Sequence, residues 1–217
     1  MLVSSPSNFS FLLKMEKTFY NAAENGKVEE VKDILRKNPS LNVNWKNEVD
    51  AWTALYAACY FGQDSIVSIL LAHPSIDPNL KHKDGNTPFL IACFKGSTSC
   101  VRLLLQDQRV MVNEPSNDGS TPLRWAAYHR NHEVIRWWIG SGREMDLGTP
   151  GDVDKTDAIG VAKQIGTTEV ASLLERFKKD STKTRSEVRL KLGITGKSVH
   201  PSISLYSFFF SIFLLVF

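Results

Sequence analysis

The sequence predicts an all-α protein, a solenoid of paired antiparallel helices with short turns at one edge. Three observations predict it. Thr53, Thr87 and Thr121 recur at intervals of 34 residues in matching local sequences. An apolar triplet with i, i+3, i+4 spacing follows each of them, which is one stripe of a helix. Glycine and proline punctuate the copies between their helical segments. Self-similarity at this period is typical of proteins that stack one unit repeatedly.

The third copy, DGNTPFLIACFKG, shows what each residue of the unit contributes. Asp84 and Gly85 predict a turn, because glycine adopts backbone angles that other residues resist. Thr87 is placed to cap the first helix through its hydroxyl, and Pro88 at the first helical position loses no hydrogen bond. Gly96 can end that helix in the left-handed conformation. The unit therefore begins with a turn and continues as two helices.

The second helix of each copy is predicted from its apolar triplet, and there are five such triplets. They are Val31, Ile34 and Leu35; Val67, Leu70 and Leu71; Val101, Leu104 and Leu105; Ile135, Trp138 and Ile139; and Val170, Leu173 and Leu174. The first and fifth copies lack parts of the turn. Such deviations are expected of terminal repeats, because one side of an end repeat faces solvent.

A turn and two antiparallel helices in about 34 residues resemble the ankyrin repeat. The matching residues are Asp84, Gly85, Thr87, Pro88, Ala92, Gly96, Val101, Leu104, Leu105 and Asn113, with Asp118, Gly119, Thr121, Pro122, Leu123, Ala126 and Ala127 in the next copy. Arg130 departs from the pattern where a glycine usually ends the first helix. The resemblance implies a concave face, made from the turn tips and the ends of the first helices, that binds proteins.

The predicted organisation is one repeat domain with a segment at each end. The boundaries are a disordered leader over 1–15; a repeat domain over 16–178, with copies near 17–46, 47–81, 82–115, 116–150 and 151–178; a charged extension and linker over 179–202; and an apolar tail over 203–217. The leader lacks the basic residue that precedes the apolar stretch of a secretory signal, and Met15 is an alternative start. Part of the charged extension can form a short helix.

The tail, Ile203–Phe217, is almost entirely apolar and carries no charge. A helix of this length spans about 22 Å, short of the roughly 30 Å hydrocarbon core of a bilayer. The tail is a short membrane anchor, a segment docked on the repeats, or a stretch introduced by faulty gene prediction. The odd cysteine count favours a reducing, cytoplasmic location, with tail-anchoring to an intracellular membrane as the alternative.

No residue pattern in the sequence predicts catalysis. The motifs GxxxxGK[ST], GxSxG and HExxH are absent from it. Cys59 and Cys93 occupy positions of small core residues, and no histidine has metal-ligand spacing. Asp152, Asp154 and Asp157 predict a turn with a helix-capping acid rather than a calcium loop, since the twelfth-position Glu of an EF-hand loop is missing. The prediction is a non-enzyme without cofactor, metal or small-molecule substrate, and the net charge of +3 gives no nucleic-acid footprint.

The predicted function is non-catalytic protein binding, as an adaptor, scaffold or regulatory subunit. Tyr60, Phe94 and Tyr128 occupy one column of successive copies, and aromatic residues dominate binding energetics. Phe61, one column on, belongs to the same set; the alternative is that some of these rings pack sideways against the next repeat, and Phe61 is the best candidate for that. The candidate partner-binding residues are Trp52, Tyr60, Phe61, Asn86, Phe94, Lys95, Ser120, Arg124, Tyr128 and His129. The alternatives are a membrane-tethered adaptor and an enzyme or enzyme-inhibiting fragment.

Overall fold

The computed structural model describes residues 6–148 and 157–194, and these residues form helices joined by turns and loops, without strands. The helices are α1 (Pro6–Glu24), α2 (Val28–Lys37), α3 (Ala54–Phe61), α4 (Asp64–Ala72), α5 (Pro88–Lys95), α6 (Thr98–Gln106), α7 (Pro122–Tyr128), α8 (His132–Ser141), α9 (Ala158–Gln164), α10 (Thr168–Lys179) and α11 (Ser181–Lys191). The apolar tail lies outside the described residues, as do Asp152 and Asp154.

The helices are arranged in two rows. The first helices of the five copies, α1, α3, α5, α7 and α9, pack side by side in chain order. The second helices α2, α4, α6 and α8 form the other row, and each packs against the first helix of its own copy. The prediction of an all-α stack of helix pairs is confirmed.

The ends of the first helices follow the local sequence. Thr53, Thr87 and Thr121 each accept a hydrogen bond from the backbone N–H three residues on, at 3.1, 3.1 and 3.2 Å. Gly96 ends α5 with φ of 71°, in the left-handed region where glycine has no Cβ penalty. In the fourth copy Arg130 takes the same backbone conformation, with φ of 60°. Tertiary packing therefore imposes the turn even where glycine is missing.

The core runs along the stack between the two rows. All apolar triplet residues of the first four copies are buried, and Trp138 is fully enclosed with its indole N–H donating to the Glu144 carbonyl at 3.2 Å. Cys59 and Cys93 are also fully buried. Small residues at these positions let α3, α5 and α7 approach one another closely, which confirms the packing interpretation of both cysteines.

A ladder of asparagine side chains joins the loops of neighbouring copies. Asn44 donates to the Ser75 carbonyl at 2.7 Å, and Asn79 donates to the Arg109 carbonyl at 2.8 Å. Both side-chain oxygens also accept a backbone N–H of the next copy, and Asn113 accepts one at 3.0 Å. Each rung therefore links the loop of one copy to the loop of the next.

The N-terminal end differs from the expectation of a disordered leader over residues 1–15. Residues 6–15 are helical and form the first part of α1. Met15 packs against the core, and Leu12 and Leu13 are half-buried. Leu12, Leu13 and Met15 therefore contribute partly buried apolar area to the extension, whereas Phe11 is 54% exposed.

The C-terminal end is closed by α11, in the segment expected to be a charged extension. This helix packs against α10 and α8. Arg185 Nε donates to the Ile139 carbonyl of α8 at 3.1 Å, and Val188 is buried. Gly140 provides room for the contact, since a Cβ there would lie 3.1 Å from Ile194 Cδ1. The short helix that this segment was expected to be able to form is α11, Ser181–Lys191.

Candidate protein-interaction surface

The candidate surface lies where the first helices end. Repetition places Tyr60 at the end of α3, Phe94 at the end of α5 and Tyr128 at the end of α7. Because these three helices pack side by side, the side chains of successive copies become neighbours. We call the surface the aromatic stripe and define it by the rings of Trp52, Tyr60, Phe61, Phe94, Trp125, Tyr128 and His129.

One half of the aromatic stripe belongs to the second copy. The ring of Trp52 lies 4.9 Å from those of Tyr56 and Tyr60, measured between centroids. Tyr60 in turn contacts Phe61 edge-on at 5.0 Å. Tyr56 is buried and stacks on His82 of the next turn at 5.0 Å, so it anchors this half rather than facing solvent. Offset and edge-on contacts of this kind stabilise the ring positions.

The other half joins the third and fourth copies. Phe94 contacts Trp125 at 5.2 Å and His129 at 4.2 Å. Tyr128 completes the group, with its ring 5.8 Å from Trp125 and 5.1 Å from His129. Four rings from two repeats therefore form one contiguous patch.

Lys95 connects the two halves. Its Nζ lies 4.3 Å from the centroid of the Tyr60 ring, a cation–π distance. The pKa of His129 is lowered, first by its partial burial among the rings and second by the nearby Lys95 charge. His129 is therefore neutral at pH 7 and extends the stripe as an aromatic ring rather than as a cation.

Exposure divides the stripe into supporting and presented rings. Tyr60 and Phe94 are half-buried and pack against the core, whereas Tyr128 is 51% exposed. Phe61 is 49% exposed, which favours its place on the surface over the alternative of sideways packing against the next repeat. It occupies the same column as Lys95 and His129, which are also exposed. Presented apolar area is concentrated at Phe61 and Tyr128.

Two of the predicted binding residues have structural partners at the turn tips. Ser120 is only 3% exposed; its backbone N–H donates to Asp118 at 3.0 Å, and its hydroxyl accepts from Arg124 at 3.1 Å. Asn86 is half-buried beside Tyr56, and its backbone N–H donates to His82 Nδ1 at 3.3 Å. Both residues hold the turns that support the stripe.

Trp125 is the central residue that the predicted binding set omits. It contacts three other members of the stripe. Its spacing from Tyr128 and His129, at i+3 and i+4, is the sequence signal that places the three on one helix face. Arg130, two residues after Tyr128, is also exposed. The predicted binding set omits it because it stands where a glycine usually ends the first helix.

The cysteine thiols are unsuited to nucleophilic chemistry. Burial raises the pKa of Cys59 and Cys93 well above the usual value, and burial raises that of Cys100 to about 12. A reactive cysteine needs an accessible, electropositive setting that stabilises the thiolate. Among the described residues there is also no group of three or more His, Cys, Asp or Glu side chains that could hold a metal ion.

These features define the class of protein as a helical repeat protein, in which core residues recur between copies while surface residues differ. The family model for ankyrin repeats, which represents three copies, matches residues 12–82 and 74–149. The two matches together cover more than half of the 217 residues. The chain belongs to the ankyrin-repeat family. Domains of this family are typically non-catalytic modules for protein–protein interaction, and the chain is an interaction module in this general sense.

One curated relative is similar over a short stretch. The 2-5A-dependent ribonuclease of Homo sapiens is 37% identical over 70 residues. The match covers 32% of this chain and 9% of the ribonuclease. The chain therefore spans less than a tenth of that relative's length.

Proposed function

We propose that the chain binds a protein partner on the aromatic stripe, as an adaptor, scaffold or regulatory subunit. The observation that carries the proposal is the contiguous patch formed by Phe94, Trp125, Tyr128 and His129 across two repeats. Rings held by their neighbours lose little freedom on association, so the surface is preorganised. Aromatic side chains also contribute more to binding than other contact residues do.

The proposed role is binding and not catalysis. The raised pKa values of the buried thiols support it, because they leave these groups protonated at neutral pH. The family assignment supports it too. The ribonuclease relative is an enzyme by name, but the similarity extends over 9% of its length, so its activity is not carried over.

The experiment is affinity capture from cells that express the protein, comparing two triple variants. The first, Tyr60→Ala with Phe94→Ala and Tyr128→Ala, removes one column of the stripe. The second, the control, removes a column of half-buried apolar residues on the second helices: Ile69→Ala, Leu103→Ala and Trp137→Ala. Both sets recur at 34-residue intervals. The stripe set trims two half-buried side chains and one exposed side chain, and the control trims three half-buried ones, so the control disturbs folding at least as much.

We expect the stripe variant to capture at least about tenfold less partner than the wild type, because each aromatic contact contributes about 1–2 kcal/mol or more of binding free energy. The control variant should retain it. Circular dichroism verifies that both remain helical. Equal capture by wild type and stripe variant, or equal loss in both variants, contradicts the proposal.

The membrane-tethered alternative depends on Ile203–Phe217, outside the described residues. Within 6–148 and 157–194, no helix combines the length and apolarity that crossing a bilayer requires. A fluorescent fusion of the full chain, compared with one lacking Ile203–Phe217, tests the tether directly. Membrane localisation that is lost with the tail would add a tether to the proposed binding role.

A further inference from the structure

Two exposed cations lie on either side of the patch formed by Phe94, Trp125, Tyr128 and His129. Lys95 reaches towards the second copy, where it lies over the Tyr60 ring. Arg130 reaches towards the fifth copy, where its Nη2 donates to the Ile165 carbonyl at 3.0 Å. Within the described parts of the chain, neither side chain forms an ion pair with a carboxylate. This patch is thus flanked by positive charge that carboxylates of the described residues do not neutralise.

Acids at the stripe end of the helices have other partners: Glu24 accepts a hydrogen bond from Tyr20, Asp64 accepts one from the Ser65 N–H, and Glu133 pairs with Arg136. A further column of acids lies at the other end of the first helices. Asp50, Asp84 and Asp118 occupy the turn tips, and α5 separates its tip from Lys95 by eight residues. That is about 12 Å at the rise of a helix, which exceeds the screening length of roughly 8 Å at physiological salt. Asp50 is also paired with Lys83, and Asp118 accepts hydrogen bonds from Ser116 and Ser120. These acids therefore leave the two cations available.

The spacing of the cations indicates the size of the complementary segment. Packed helices are about 8–10 Å apart, so cations directed towards α3 and α9 are separated by roughly 20 Å. An extended chain covers that distance in about six residues, at roughly 3.3 Å per residue. Such an extended partner chain would use about three of its residues to cross each repeat. The half-exposed ring of Tyr128 lies between the two cations.

We propose, resting on the proposed function above, that the partner contributes an extended acidic segment. Carboxylates at its two ends pair with Lys95 and Arg130, and apolar side chains between them contact Tyr128 and Phe94. Carboxylates fit better than a phosphate cluster, because a phosphate needs several donors converging on one point and these two cations are far apart. Charge complementarity of this kind raises the association rate and selects the partner.

The test uses a displayed library of random 16-residue peptides and the purified full chain. We expect the selected peptides to carry Asp or Glu at two positions about six residues apart, with an aromatic or aliphatic residue between them. Affinity for one such peptide is then measured by fluorescence anisotropy at two salt concentrations. It should fall as the salt rises, since screening weakens exposed ion pairs.

A matched pair of variants isolates the charges. Lys95→Gln with Arg130→Asn removes two charges, and Asn is chosen because it tolerates the left-handed backbone at position 130. Lys178→Gln with Lys179→Gln removes two charges from exposed positions on α10. We expect the first pair to weaken peptide binding about tenfold or more and the second to change it less than about twofold.

The outcomes separate this inference from the proposed function. The acidic segment is overturned if the selected peptides carry no acidic residues, or if the two variant pairs bind with equal affinity. The stripe itself still stands in that case, provided that the Tyr60, Phe94 and Tyr128 triple variant abolishes binding. Binding that survives that triple variant overturns the stripe itself. Displacement of the peptide by inorganic tripolyphosphate at micromolar concentration identifies a phosphate ligand and also overturns the acidic segment.

Discussion

Carbonyl groups near the ends of the second helices receive arginine side chains from different parts of the chain in two kinds of contact. We call the contacts between neighbouring repeats the interior joints, and the contact between α8 and α11 the C-terminal joint. Leu71, Leu105 and Ile139 are equivalent residues near the ends of successive second helices. Arg109 donates to the Leu71 carbonyl at 2.6 Å, and Arg143 donates to the Leu105 carbonyl at 3.4 Å. Each arginine follows its acceptor by 38 residues. Cations at these positions also interact favourably with the helix dipole.

At the C-terminal joint the donor comes from outside the repeats. Arg185 of α11 donates to the Ile139 carbonyl, 46 residues away instead of 38. A salt bridge from Arg136 to Glu169 connects α8 with the start of α10, while α11 packs near the end of α8. The comparison teaches that α8, the second helix of the fourth copy, is covered near its end by a segment without repeat sequence, and that this segment supplies the same type of bond.

The largest expected effect comes from closing the space that α11 uses. Gly140→Leu places a side chain where Ile194 Cδ1 and Leu192 Cδ1 already lie 3.1 and 3.2 Å from an added Cβ. Overpacking of this kind costs about 3 kcal/mol of unfolding free energy, and α11 should become sensitive to proteolysis. Urea denaturation and limited trypsin digestion measure the two effects.

The control for that change is Ala72→Leu. Ala72 occupies the equivalent column of α4 and is exposed, so we expect a change within about 0.5 kcal/mol. If both substitutions cost the same, α11 does not depend on the glycine and the C-terminal joint is not distinct.

A smaller loss of stability is expected when the arginine of either joint is replaced, and its size should differ between Arg143 and Arg185. Arg143 Nη atoms donate to the Asp107 and Val110 carbonyls at 2.9 and 2.6 Å, besides the longer bond to Leu105, whereas Arg185 donates to the Ile139 carbonyl alone among described acceptors. Arg143→Met should therefore cost about 2 kcal/mol and Arg185→Met about 1 kcal/mol. Chemical denaturation of the two variants gives the comparison. Equal losses would show that the two joints are equivalent in energy, and a larger loss for Arg185→Met would contradict the predicted order.

The smallest expected effect is a gain in stability at an interior turn. Ala51 has φ of 58°, at the position that Gly85 and Gly119 occupy in the next two copies. Ala51→Gly relieves the steric cost of the left-handed conformation, partly offset by the greater freedom of glycine in the unfolded chain. We expect a net gain of about 0.5 kcal/mol by thermal or urea denaturation.

An alanine-to-glycine substitution in an ordinary helix should instead lower the unfolding free energy. Ala72 lies in the last turn of α4 with ordinary helical geometry, so Ala72→Gly should cost about 1 kcal/mol. A loss of stability in both variants would mean that the methyl group of Ala51 contributes contacts worth more than the strain.

How much could be predicted depends on the range of the interactions. The caps at Thr53, Thr87 and Thr121 and the end of α5 at Gly96 were predictable, because each involves residues within one helical turn. The exposure of Phe61 and the burial of Ser120 were not, because they depend on how neighbouring repeats orient a shared position. Trp125 became part of the stripe through contacts with Phe94, which is 31 positions earlier in the sequence.

The sequence by itself determined the repeat, its two helices and the residues that face the core, since a period of 34 and an i, i+3, i+4 pattern are local properties. Tertiary structure decided the contacts between copies. It extended α1 to Pro6, docked α11 on α8 at Gly140, and assembled rings from three repeats into one surface. The physical reason is that these features gain their free energy from apolar area buried between segments distant in the chain, which no local pattern specifies.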